Sequence, residues 1–150
     1  MDPRAEFERV VDRMAESCMA GDWPAFRDGM ILPFTLHTAG ATLVVKDEIQ
    51  LRQGFDNFVQ MLRVQGVTDY IRPVLDADCP APDRLDGIYE SHLLRNAVRV
   101  VPSYRSRAQL RRVDGLWRFE RIVNTWENDR WPVTTPIPGD TPLSDIGTDD

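Results

Sequence analysis

The sequence predicts an α+β domain in which three helices precede a curled antiparallel sheet. Two stretches before Gly66 repeat apolar residues every three to four positions, whereas the chain after Gly66 alternates with a period of two. An Asp114-Gly115 pair then separates two alternating stretches, which is the punctuation of a hairpin. With 150 residues, 42% of them hydrophobic and 28% charged, the chain has the size and mixture of one globular domain.

The first helix is expected from about Arg4 to Ala20, because Phe7, Val10, Val11, Met14 and Cys18 fall on one face. Gly21 supplies its C-cap. Asp22 caps a short second helix, Trp23 to Gly29, with Pro24 tolerated in its first turn. Two extended runs, Leu32 to Thr38 and Ala41 to Val45, form a hairpin split at Ala39-Gly40. Asp47 caps the third helix, whose stripe is Leu51, Phe55, Phe58 and Leu62, and Gly66 stops it.

The next strand is expected to place Asp69, Ile71, Pro73, Leu75 and Ala77 on one face, with Asp78 to Asp83 as the turn. A long strand from about Arg84 to Val101 follows. Tyr104, Ser106, Ala108 and Leu110 then alternate with Arg105, Arg107, Gln109 and Arg111, so one face is buried and the other wet or paired with a partner. The last strand, Leu116 to about Glu127, carries Trp117, Phe119 and Val123 on one face. The domain is expected to span residues 1–131. From Pro132 onward, prolines and aspartates without any Lys or Arg predict an acidic, flexible tail over 132–150, with Trp131 able to dock on the body.

The net charge of −6 argues against nucleic acid as a partner, since phosphate recognition needs a basic surface. No run of roughly 18 apolar residues predicts a membrane span, and the charged N-terminal stretch does not read as a signal peptide, so a cytoplasmic location is expected. Cys18 and Cys79 read as reduced structural thiols. The two histidines and two cysteines have no metal-ligand spacing and no glycine-rich phosphate loop is present, so neither metal nor cofactor is expected.

The element order, the GDWPAF step at residues 21–26 and the ending DGLWRFERIVNTW at 114–126 resemble the nuclear-transport-factor-2-like superfamily over about residues 5–127. That superfamily includes SnoaL-like cyclases, ketosteroid isomerase and scytalone dehydratase. The resemblance implies a cystatin-like α+β roll: a cone-shaped sheet wrapped around the helices, with a mostly apolar small-molecule pocket. It also implies a homodimer through the outer sheet face, where Arg105, Arg107, Arg111 and Arg118 would lie with Glu120 as a partner.

By the same resemblance, His37 stands where ketosteroid isomerase has its carboxylate base, and an imidazole suits proton transfer near neutral pH. Asp69 and Tyr89 fall on the two strands that carry acid–base residues in scytalone dehydratase, although both positions are histidines there. Parity turns Tyr104 and Ser106 inward as ligand-lining candidates. Trp117 and Asn124 are further candidates, Trp117 also reading as core and Asn124 reaching the pocket only if a bulge shifts the last strand. Arg95 and Arg121 face inward on parity and could hold a ligand carboxylate. His92 faces outward. Met14 and Cys18 stand where ketosteroid isomerase needs an oxyanion-holding tyrosine, which argues against its mechanism. The expected function is therefore a binding or dimerisation module with an apolar pocket. A cofactor-free isomerase, dehydratase or cyclase acting on an apolar carbonyl compound is the alternative, with an accessory subunit resembling the small subunit of ring-hydroxylating oxygenases third.

Overall fold

A computed structural model describes residues 1–124, so the expected tail over 132–150 and Trp131 lie outside the described residues. The three helices form where their caps and stripes place them. In α1 (Pro3–Ala20) the Asp2 side chain accepts from the Arg4 N–H, and Gly21 closes the helix at φ 66°. That left-handed conformation costs glycine little, and it lets the Asp22 N–H reach back to the Ser17 carbonyl at 2.9 Å. Asp22 caps α2 (Trp23–Asp28), and Asp47 caps α3 (Glu48–Val64) through the Gln50 N–H at 2.8 Å. Gly66 ends α3, with the Val67 N–H donating to the Leu62 carbonyl at 2.9 Å.

Among the described residues eight strands follow the helical segments or sit between them: β1 (Met30–His37), β2 (Thr42–Val45), β3 (Asp69–Ile71), β4 (Val74–Ala81), β5 (Arg84–Arg95), β6 (Val98–Arg99), β7 (Tyr104–Val113) and β8 (Leu116–Asn124). The sheet runs β2-β1-β8-β7-β5-β3, with β4 and β6 also on β5. Its hairpins are antiparallel, but β1 lies parallel to β8. The sheet is therefore mixed rather than wholly antiparallel, because the β1–β2 hairpin joins the sheet edge left by the last strand. The α1 helix packs against β3, β4 and β5, and also contacts α2 and α3. Phe7, Val11, Leu51, Leu85, Leu93, Leu110 and Phe119 are fully buried between helices and sheet.

Local differences from the sequence-based expectation change which side chains face inward and where strands end. Tyr70 and Val74, not Asp69 and Leu75, are buried on the strand after α3, and Leu75 is 40% exposed. Tyr70 stands opposite Leu93 and Val74 opposite Tyr89, so the even-numbered positions share the inner face. A register shift between Val74 and Asp76 then reverses the parity, and Ala77 comes to face inward opposite Gly87. The strand continues through Cys79, Pro80 and Ala81, leaving only Pro82-Asp83 as the turn.

The long strand expected to reach Val101 instead folds back at Asn96-Ala97, both with positive φ, and β6 pairs with the end of β5. Two successive left-handed residues make the tight turn that suits a twisted hairpin. The Asp114-Gly115 turn forms as expected, with φ of 53° and 78°. In β8 the register slips between Arg121, opposite Gln109, and Phe119, opposite Leu110. Glu120 is the extra residue of this bulge. Ile122 and Asn124 thereby join the face of Phe119, while Val123 and Arg121 turn to the other side.

Candidate functional site

Between the helices and the inner face of the sheet lies a cavity of about 80 Å³. The helices contribute Met14, Cys18, Phe26, Gly54, Phe55 and Phe58, and β1 contributes Met30, Phe34 and Leu36. The rest of the wall comes from Tyr70, Arg72, Tyr89, Tyr104, Ser106, Phe119, Ile122 and Asn124. Most of this lining is apolar, which is the composition of small-molecule sites. Its size is modest. An engineered cavity of about 150 Å³ holds benzene, and sites for drug-sized ligands run to about 300 Å³ and above. Even a single six-membered ring therefore requires side chains to swing aside, and Met14 and Met30 are the flexible ones in the wall.

The polar atoms are grouped. Tyr89 stands opposite Ser106 across the β5–β7 pair, and Ser106 stands opposite Asn124 across the β7–β8 pair. Direct cross-strand neighbours have Cβ atoms about 4.5–5.5 Å apart, so these three form a polar row over three strands. Tyr104 lies one inward position along β7, opposite Ser91. Burial pushes the Tyr104 phenol well above its ordinary pKa, so it is a neutral hydroxyl at physiological pH. Burial likewise pushes the Cys18 thiol up to about 11. A thiol held protonated is a poor nucleophile.

Arg72 follows β3, and its guanidinium lies 4.3 Å from the Tyr70 ring centroid and 5.2 Å from that of Tyr89. It donates to the Tyr70 hydroxyl. Arg72 alone carries a charge among the described residues lining the cavity, and none of them is Asp, Glu or His. On its other side Arg72 borders an outer groove with Glu8, Asp12, Glu16 and Asp69. In that groove burial and the neighbouring Glu8 and Glu16 raise the Asp12 pKa, partly offset by Arg72.

No protein-family model matches the sequence, and no curated protein matches it as a relative. Solved structures do. An NTF2-like protein of unknown function from Pseudomonas putida KT2440 superposes with a TM-score of 0.62 at 12% identity, over 93% of this chain and 96% of the other. An NTF-2-like protein of unknown function from Shewanella oneidensis MR-1 gives 0.61 at 11% identity, over 82% and 98%. A third, from Novosphingobium aromaticivorans and described as NTF2-like with a cystatin-like fold, gives 0.58 at 17% identity, over 81% and 80%. The fold is NTF2-like.

Within this NTF2-like fold the sequence-derived candidates divide. Tyr89, Tyr104, Ser106 and Asn124 converge on the cavity, Asn124 through the Glu120 bulge. His37 does not line it. Phe34 and Leu36 face the cavity, whereas His37 pairs in register with Thr42 and Val123 on the opposite side of β1. There it is 1% exposed, with Nδ1 3.0 Å from the Thr42 hydroxyl. The expected base is thus turned away by strand parity.

Asp69 is exposed in the outer groove, where its carboxylate accepts from the Thr68 hydroxyl at 2.9 Å. Trp117 is buried but lines a separate depression with Val10, Arg13 and Gly29, its ring 5.8 Å from the Arg112 guanidinium carbon. The expected inward arginines also change. Arg121 is turned outward by the bulge, and Arg95 is exposed at the end of β5, 3.5 Å from the Gln65 carbonyl. Arg72 and Tyr70 take the place expected for Asp69 and the arginines. The signal that could have found them is the even-numbered parity Tyr70, Arg72, Val74, masked by the apolar Ile71 and Leu75 at odd positions.

His92 faces outward as expected, with Nε2 2.8 Å from Glu90 and Nδ1 3.0 Å from Arg99. Cys18 and Cys79 are both free thiols. Among the described residues no helix is long and apolar enough to cross a membrane.

Proposed function

We propose that this protein is a small-molecule binding module whose ligand sits in the cavity between the helices and the inner sheet face. The observation that carries the reading is the make-up of that wall: continuous apolar surface from Phe34, Leu36, Phe55 and Phe119, with the Tyr89–Ser106–Asn124 row at one side. Apolar walls supply the driving force of burial, and a few placed hydroxyls and amides fix orientation. Cofactor-free acid–base catalysis is the weaker reading, because the lining offers donors but no carboxylate or imidazole among its described residues. A proton-abstracting group needs a pKa near the working pH, and neither Tyr104 nor Cys18 has one.

We also propose that the outer sheet face meets a second copy of the same chain. Arg105 pairs with Glu90, and Arg111 pairs with Glu120. A face that carries both signs can meet its own copy about a two-fold axis without net like-charge repulsion.

Benzyl alcohol, a neutral single ring with one hydroxyl, is a suitable probe. At saturation it should raise the melting temperature of wild type by several degrees, since a ligand at about 100 times its Kd adds about 2.7 kcal/mol. Gly54→Leu places a side chain into the cavity from α3 and should remove that rise. A rise that survives in Gly54→Leu, or no rise in wild type, would overturn the proposal.

A further inference from the structure

The cavity contains one feature that simple apolar binding leaves unexplained. Arg72 brings a permanent positive charge into a wall whose other described residues are aliphatic, aromatic or neutral polar. Among the described residues Arg72 forms no ion pair within 4 Å, although the outer groove it borders carries Glu8, Asp12, Glu16 and Asp69 and it lowers the Asp12 pKa. Its Nε is buried without a hydrogen bond, and the Tyr70 hydroxyl is its acceptor on the terminal nitrogens. A guanidinium has five N–H donors in a planar fork, and the Nε–H of this one has no acceptor within the fold. The guanidinium carbon lies over the rings of Tyr70 and Tyr89, 4.3 and 5.2 Å from their centroids, contacts that hold the charge without neutralising it.

Arg72 is half-buried, with the carboxylates of Glu8, Asp12, Glu16 and Asp69 on its groove side. On its cavity side an anion would meet a partly desolvated guanidinium, where a charge-assisted hydrogen bond is stronger than in water. Carboxylates match the fork in geometry, accepting two parallel N–H bonds. From these contacts we infer that Arg72 selects ligands bearing a carboxylate: a small monocarboxylate whose ring or chain fills the apolar cavity and whose head group sits against the guanidinium. The inference rests on the cavity being a ligand site. It adds the chemical class of the ligand and the residue that reads it.

The test compares benzoate with its neutral isostere benzamide by calorimetric titration at pH 7. Wild type should prefer benzoate by roughly 10- to 100-fold, the range for hydrogen bonds to a charged group. In Arg72→Met the preference should vanish, and in Arg95→Gln, whose arginine is outside the cavity, it should persist. Equal affinity for the two compounds in wild type overturns the inference while leaving the cavity as a neutral site. A preference lost in Arg95→Gln but kept in Arg72→Met overturns it as well. If neither compound binds, the cavity reading fails and the inference with it. Should Arg72→Met not fold, Arg72→Gln takes its place: the preference should vanish there too, and a preference that persists overturns the inference.

Discussion

The seat of α1 on the sheet depends on one missing side chain, and adding it back should be costly. Gly87 on β5 stands between Ala77 on β4 and Ala108 on β7, so three small residues in register make a shallow floor. The Phe7 ring lies on that floor. A Cβ built on Gly87 would come within 2.5 to 2.7 Å of three Phe7 ring carbons. Ordinary carbon contacts are about 3.5–4.0 Å, so the ring would have to retreat by about 1 Å. Phe7 is fully buried and touches Tyr89 at a 6.2 Å ring separation, which leaves it little room to move. Overpacking of this kind costs about 1–3 kcal/mol, and this geometry belongs at the upper end. Restricting the unfolded chain returns about 0.4–1 kcal/mol. The net loss for Gly87→Ala is then about 2 kcal/mol, or roughly 4–8 °C in melting temperature for a chain of this size. Urea and thermal denaturation measure it directly. In a Phe7→Leu background the same change should cost much less, because the ring that clashes has gone. A Gly87→Ala protein that melts at or above wild type would refute the packing argument.

Three other outcomes follow from the structure. Burial raises the Cys18 pKa from its ordinary 9.0 to about 11, so the unfolded chain loses the thiol proton first. Stability from this site should be constant below about pH 9 and fall between about pH 9 and 11; Cys18→Ala should flatten that fall in alkaline melts, and an unchanged slope would contradict it. His37→Ala should lower the melting temperature, since a buried ring bonded to Thr42 is lost, yet leave benzyl alcohol affinity unchanged by titration. A tenfold weaker affinity would place His37 back in the site. Light scattering at micromolar concentration should give twice the 17.2 kDa chain mass, with Glu120→Arg shifting it toward monomer; a monomer at all concentrations would remove the dimer.

The helices and the β7 face were legible because each carries redundant local signals. Asp22 and Asp47 cap, Gly21 and Gly66 stop, and Tyr104 to Leu110 alternate without interruption. The candidate site was legible only where the strand period ran unbroken. Tyr89, Tyr104 and Ser106 came out on the correct face for that reason. Asp69 did not, because alternation with apolar residues on both parities leaves a short strand's facing to its partner, and Leu93 selects Tyr70. The Glu120 bulge and the Asn96-Ala97 turn depend on cross-strand register and positive φ at ordinary residues, which local composition does not signal. His37 shows the limit of transferring a position by resemblance. One step of parity moved it to the far side of β1.

Occupancy of the cavity by a ligand can be read from the methionines. Met14 and Met30 line the cavity, whereas Met61 is buried elsewhere and Met1 and Met19 are 68% and 36% exposed. With ¹³C-labelled methionine methyl groups, titration with benzyl alcohol should shift the Met14 and Met30 resonances in a saturable way and leave Met1 and Met19 in place. Shifts confined to Met1 and Met19, or none at any methionine, would contradict a ligand site between the helices and the sheet.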